Sequence, residues 1–279
     1  MRVRVPSFDF SRVSAHWIPR APEFAQLLNA NSIVLPHLER FVNRVMARAR
    51  AEIRGDDLKA IRAEMSLFMK QESCHHAVHT GFNAMMVRNG YDQIPEIEKD
   101  IARYYDQLLA TKSLPFLIGY CEGFESLTPP MAATWFDGTM DRVLTDADPD
   151  VVMMWRWHIM EEFEHRTVCH DVYRAVHGGY LLRIYAFFYQ FVAFHRMVAR
   201  TYRYFLNTDR LKMRPDEIAR SKQHARRSAS GFLVSMTPGM LNVLRPRYSP
   251  RNIVEPAGLA RARNEIESDW IPSDAAAIA

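Results

Sequence analysis

Glu162 and His165 stand three residues apart in WRWHIMEEFEHRTVCHDVY (residues 155–173), and Glu72 and His75 repeat that ExxH spacing in KQESCHHAVH. Residues three apart on a helix share a face, so each pair can turn a carboxylate and an imidazole toward one ion. Trp155, Trp157, Ile159, Met160 and Phe163 crowd the later pair and leave little room for a purely solvated face. His158 precedes Glu162 by four residues and extends the same face, giving HxxxExxH; it reads as a third nitrogen ligand. His79 follows His75 by four and reads as a support behind the ligands. Glu161 and Glu164 point away from the face of His165 and read as a solvated edge. His76 is out of register, Asp171 lies much of a turn away, and His170 and His177 read as surface or packing histidines.

Two ExxH pairs on separate helices, with one glutamate from each of two further helices, make the ligand set of ferritin-like dinuclear carboxylate proteins. Glu39, in HLERF between apolar neighbours, supplies one of the two glutamates. Glu122, in GYCEGF, supplies the other and is preferred to Glu125, one turn along. Four carboxylates and two imidazoles inside an apolar bundle are costly unpaired. Two divalent cations, held about 3.5–4 Å apart by bridging carboxylates, would neutralise them. Mixed oxygen and nitrogen ligation without thiolates suits two transition-metal ions, iron first, with manganese and zinc as alternatives.

The elements that must position these groups read as helices throughout. Apolar residues recur at helical spacing from Glu23 to about Ile53, with Pro36 expected to kink or restart that helix. Gly55 and Asp56 stop it and cap a second helix that ends at Asn89-Gly90. A third starts near Pro95, is interrupted at Pro115, and continues through FLIGYCEGFESL until Pro129-Pro130 breaks it. A shorter helix is expected over 132–144. Asp148-Pro149-Asp150 caps one long helix carrying the whole HxxxExxH stretch to Gly178-Gly179. Another fills roughly 181–207. With no alternating strand pattern, the fold class is all-α: a ferritin-like four-helix bundle with additional helices. The expected organisation is an N-terminal arm over 1–22, the dimetal bundle over 23–207, and a helical and irregular extension over 208–279 that packs on the bundle.

Composition narrows the function classes. The chain has 279 residues, 48% of them hydrophobic and 24% charged, with a formal net charge of +4. Its positive charges are dispersed apart from Arg220, Lys222, Arg226 and Arg227, and no basic stripe with stacking aromatics suggests nucleic acid. Three cysteines without a CxxC spacing suit a reducing compartment rather than a disulfide scaffold. The N-terminus lacks a signal-peptide core and no uncharged run is long enough to span a bilayer, so a cytoplasmic protein is expected. YLLRIYAFFYQFVAF (180–194) is apolar on almost every side and reads as a buried helix, with a lipophilic tunnel wall, peripheral membrane contact or a homodimer face as alternatives.

FDFSRVSAHWIPRAPEFAQLLNANS, LERF, QESCHHAVH with its trailing GFN and GYD, and WHIMEEFEHRTVCHDVY together resemble a bacterial family described as predicted metal-dependent hydrolases, assigned to the ferritin-like superfamily. The resemblance covers roughly residues 7–205. It implies Glu39, Glu72, His75, Glu122, Glu162 and His165 as metal ligands, with His79 and His158 characteristic. The HxxxExxH motif alone is similar to that of p-aminobenzoate N-oxygenase-type diiron enzymes. The function expected first is therefore oxidation of a small or lipophilic organic substrate by a diiron centre, with dioxygen and an electron donor as partners. Hydrolysis at the same two metals is the alternative, and a non-catalytic metal-binding bundle the third reading.

Overall fold

The computed structural model describes residues 1–55 and 58–269, and among them the regular structure is helical throughout, without strands. In chain order the α-helices are α1 (Pro22–Glu52), α2 (Lys59–Arg88), α3 (Ile94–Thr111), α4 (Leu114–Glu125), α5 (Thr128–Phe136), α6 (Asp141–Leu144), α7 (Pro149–His165), α8 (Val168–Val176), α9 (Tyr180–Arg210), α10 (Pro215–Val243) and α11 (Ala257–Asp269). The protein is an all-α helical bundle. Helices α1, α2, α4 and α7 surround the polar cluster described below; α8 and α9 close it beside α4, while α10 lies against α1 and α5, and α11 against α7.

Helix α1 is buried on nearly every side over its first half and becomes amphipathic beyond Arg40. On α1, Leu27, Leu28, Val34, Leu38, Phe41, Val42 and Val45 form the buried stripe that meets α2, α4 and α9. Pro36 neither breaks nor restarts α1. Proline lacks the N–H that would bond the carbonyl of Ser32, and the Asn83 amide on α2 donates to that carbonyl at 3.0 Å instead. The ring of His76 meets the carbonyl of Pro36 at 2.8 Å. The sequence break has become a cross-link between α1 and α2. The expected cap at Asp56 lies outside the described residues.

Two other boundaries differ from the sequence expectation. The stretch read as one helix from Asp148 to Gly178 is two, because α7 ends at His165 and α8 begins at Val168. The expected helix over 132–144 starts earlier and is split, with Pro129-Pro130 occupying the first turn of α5, where missing N–H groups cost nothing. Asp148 does cap α7, its carboxylate accepting from the N–H groups of Asp150 and Val151.

On α4, Gly119 and Gly123 let α9 approach closely. A Cβ on Gly123 would stand 2.9 Å from the Cα of Phe187, and one on Gly119 would stand 3.1 Å from the Cβ of Ala186. Helix α4 also packs against α1 and α8, and Glu125 at its C-terminal end reaches His165 of α7.

Candidate metal centre

The bundle core contains charge. Glu39 on α1, Glu72 and His75 on α2, Glu125 on α4, and His158, Glu162 and His165 on α7 are all buried to within 2% of complete exclusion from solvent. Ligand atoms of Glu72, His75, Glu162 and His165 all lie within 4.8 Å of one another, and those of Glu39, His79 and His158 form a second such group. Glu162 joins the two. One of its oxygens lies 3.4 Å from His75 Nδ1, 3.3 Å from His158 Nε2 and 3.8 Å from His165 Nε2. Glu72 closes the first group at 3.3 Å from His165 Nε2.

The fourth carboxylate is Glu125, not Glu122. Glu125 stands 3.3 Å from His165 Nδ1 and faces Glu162. Glu122 instead accepts from His170 Nδ1 at 3.0 Å and lies 3.5 Å from Arg183. The cause is helical phase: Glu122 and Glu125 lie about 60° apart around α4, and the glycine face toward α9 sets which of the two is turned inward. His170 and Arg183, the partners of Glu122, lie on α8 and α9, both of which pack against α4.

Two histidines of the cluster, His75 and His158, are each held by a specific partner. His75 donates Nε2–H to Glu161 at 3.2 Å, leaving the Nδ1 lone pair for the cluster. Glu161 is fully buried rather than on a solvated edge, and its other oxygen accepts from Arg4 at 3.0 Å. Arg4, from the N-terminal arm, also pairs with Glu164 and with Glu267 of α11. A carboxylate behind a histidine in this way fixes the tautomer and raises the basicity of a ligand.

A second relay holds His158. Ser32 donates its hydroxyl to Asn83 Oδ1 at 2.7 Å, so its oxygen accepts from His79 Nδ1 at 2.8 Å. His79 Nε2 then accepts from His158 Nδ1 at 3.1 Å, and this assignment leaves His158 Nε2 as a lone pair beside Glu162. Although His79 falls within the second ligand group by distance, both of its nitrogens are spent. Its place is behind His158. Trp157 stands edge-on to His75, Phe68 to His165 and Trp155 to His79, and these contacts fix the ring planes.

Burial pushes the carboxyls of Glu39, Glu72 and Glu125 well above the usual range, and neighbouring carboxylates add to the shift. Burial also acts on Glu162, but the charges of His165 and His75 outweigh it and hold this carboxyl below its ordinary value. His75 is likewise desolvated, yet its bonds to Glu161 and Glu162 raise it overall. Burial lowers His79 to about 3, and burial together with His75 and His79 holds His158 well below its ordinary value. Both can therefore be neutral at physiological pH, as a ligand and its support must be.

The donors fit a pair of cations. Both oxygens of Glu39 and of Glu125, one oxygen each of Glu72 and Glu162, Nδ1 of His75 and both nitrogens of His165 are buried without a hydrogen-bond partner. Buried polar atoms are ordinarily paired. So many orphans converging from four helices, acidic oxygens and imidazole nitrogens alike, are what a metal site leaves when only the protein is considered.

A cavity of about 300 Å³ leads to the cluster from between α9 and α10. Its inner end is His158, and Leu28, Phe124, Trp155, Phe194 and Met236 form much of its wall. No helix among the described residues is long and apolar enough to cross a membrane. A family model described as predicted metal-dependent hydrolase matches residues 2–253. No curated protein and no solved structure matches the chain.

Proposed function

The chain belongs to the family of predicted metal-dependent hydrolases, and from that membership we propose that it hydrolyses an organic ester, amide or phosphate at a dinuclear metal centre. The observation that carries the proposal is the convergence of orphaned donors from Glu39, Glu72, His75, Glu125, Glu162 and His165, with His158 beside them at the inner end of a cavity. The order glutamate, ExxH, glutamate, ExxH along four helices supports a ferritin-like kinship. Metal ions held there supply Lewis acidity.

The protein's own groups have distinct tasks. Glu39, Glu72, Glu125 and Glu162 offset the charge of the cations and, with His75 and His165, set their positions. Glu161 keeps the proton of His75 on Nε2, while Ser32 and His79 keep that of His158 on Nδ1. The apolar wall orients the substrate and limits water to the inner end.

A second reading, oxidation of a lipophilic substrate at a diiron centre with dioxygen and an electron donor, is favoured by that same apolar wall. Hydrolysis must admit water, whereas an oxidising centre gains from its exclusion. The deciding experiment uses the purified protein reconstituted with zinc, manganese or ferrous iron. Turnover of model esters, amides or phosphates by the zinc or manganese form is expected. Hydrolytic inertness in every form, with rapid dioxygen consumption by the reduced iron form, would overturn the hydrolase reading in favour of the second.

A further inference from the structure

The wall of the cavity says more about the ligand than the metal cluster does. Most of its lining is hydrocarbon, and its few polar side chains are largely engaged within the protein. The Asn31 amide donates to the carbonyl of Leu27 at 2.7 Å, the Thr128 hydroxyl to that of Glu125 at 2.9 Å, and the His195 ring to that of Phe191 at 2.8 Å. The hydroxyl of Tyr202 is buried without a partner, and Tyr202 sits one helical turn from Ala199 at the outer end. The indole Nε1 of Trp155, whose ring lies 6.0 Å from that of His158, is also without a partner, and between these two ends the wall is largely hydrocarbon. Met131, Met236 and Met240 add side chains that adapt to a flexible occupant.

The outer end is a doorway of small side chains. Ala199 of α9 and Ala229 of α10 both line the cavity and are exposed, and Leu233 lines it while 48% exposed. Phe188 and Val192, on the outer face of α9, are also 46% and 44% exposed and continue the apolar surface. At the inner end a ligand's polar group meets the donor cluster and the unpartnered Nε1 of Trp155, and its remaining length has an apolar path outward.

We infer that this cavity binds the linear hydrocarbon chain of an acyl-type substrate, whose polar reacting end lies at His158 and whose tail runs out between α9 and α10 past Ala199 and Ala229. The inference deepens the proposed function by naming a substrate class, and it rests on that reading only for which end reacts.

Its test is a binding measurement that needs neither turnover nor a particular metal. Straight-chain 1-alkanols from butanol to dodecanol are titrated calorimetrically into the protein as purified. Burial of a methylene is worth about 0.8 kcal/mol, so the dissociation constant should fall roughly four-fold per added carbon until the chain reaches the doorway, and then level off. Ala229→Trp and Ala199→Trp place a bulky ring at exposed positions, where the fold tolerates it. They should weaken binding of the longest chains at least ten-fold, with butanol binding and thermal melting unchanged. Affinity that is independent of chain length, or long-chain binding that is unaltered in both tryptophan variants, would overturn the inference. Chain-length-dependent binding by a protein that hydrolyses nothing would sink the hydrolase reading and leave this one standing.

Discussion

A buried carboxylate with no partner gains more from a cation than one already held by a positive side chain, and α4 carries one of each. Glu125 has both oxygens orphaned, whereas Glu122 is paired with His170 and lies beside Arg183. Purified protein is expected to carry close to two transition-metal ions per chain by elemental analysis. Glu125→Ala, like Glu162→Ala or His75→Ala, should lose at least one. Glu122→Ala should keep both and lose stability instead, because it leaves Arg183 buried with one partner fewer. Loss of metal from Glu122→Ala, with full occupancy in Glu125→Ala, would reverse the assignment. The two relays make a further distinction. His158→Ala removes a nitrogen that faces Glu162 and should change the electronic spectrum of the cobalt- or iron-loaded protein. His79→Ala removes only the acceptor behind His158, so its spectral change should be smaller, with metal affinity reduced about 10–100-fold as for other outer partners of metal ligands. A larger change from His79→Ala would place the wrong imidazole on the metal.

At the scale of elements, spacing determines which residues share a face but not which way that face turns. The ExxH pairs were legible because i and i+3 coincide on any helix, and His158 followed from the same period. The choice between Glu122 and Glu125 was not, because it depends on the rotation of α4. That rotation is set by contact with α9, where Gly123 meets the backbone of Phe187. Glu161 was misread for a related reason: its burial depends on Arg4, more than 150 residues away in sequence, and no local pattern announces that contact. The restart allowed for at Pro36 is also absent, and the Asn83 amide takes up the carbonyl that proline leaves free. Gly123→Ala tests the α4–α9 argument. The added methyl group would press against backbone, which cannot rotate away, so overpacking should cost roughly 1–3 kcal/mol. Chemical denaturation should show that loss, together with reduced metal occupancy as Glu125 is displaced. Wild-type stability with wild-type metal content would show that the close approach does not set the register of α4.

The whole molecule is organised around a cluster of buried carboxyls and imidazoles whose charge must be offset by protons or by cations. The N-terminal arm and α11 converge through Arg4 and Glu267 behind Glu161, so both ends of the described chain help hold His75 of the candidate centre. Removing the metals should therefore be felt globally. A ligand present at 100 times its dissociation constant stabilises a fold by about 2.7 kcal/mol. At roughly 2–4 °C per kcal/mol for a domain of comparable size, chelation should lower the melting temperature by about 5–10 °C or more. The pH dependence has a definite sign. Without metal, burial raises the carboxyls of Glu39, Glu72 and Glu125 above their unfolded values, and the bonds of His75 to Glu161 and Glu162 raise His75. At these four groups the folded metal-free state binds more protons than the unfolded chain, so their contribution to stability falls as pH rises above the ordinary carboxylate range, while His79 and His158, held low, act in the opposite direction. Metal binding requires the same groups deprotonated and strengthens in that direction. The gap in melting temperature between metal-loaded and chelated protein should thus widen from pH 5.5 to pH 8, read by differential scanning calorimetry. A gap that stayed constant or narrowed would mean that the buried carboxylates and the cations are not linked, and with it the metal centre would lose its physical basis.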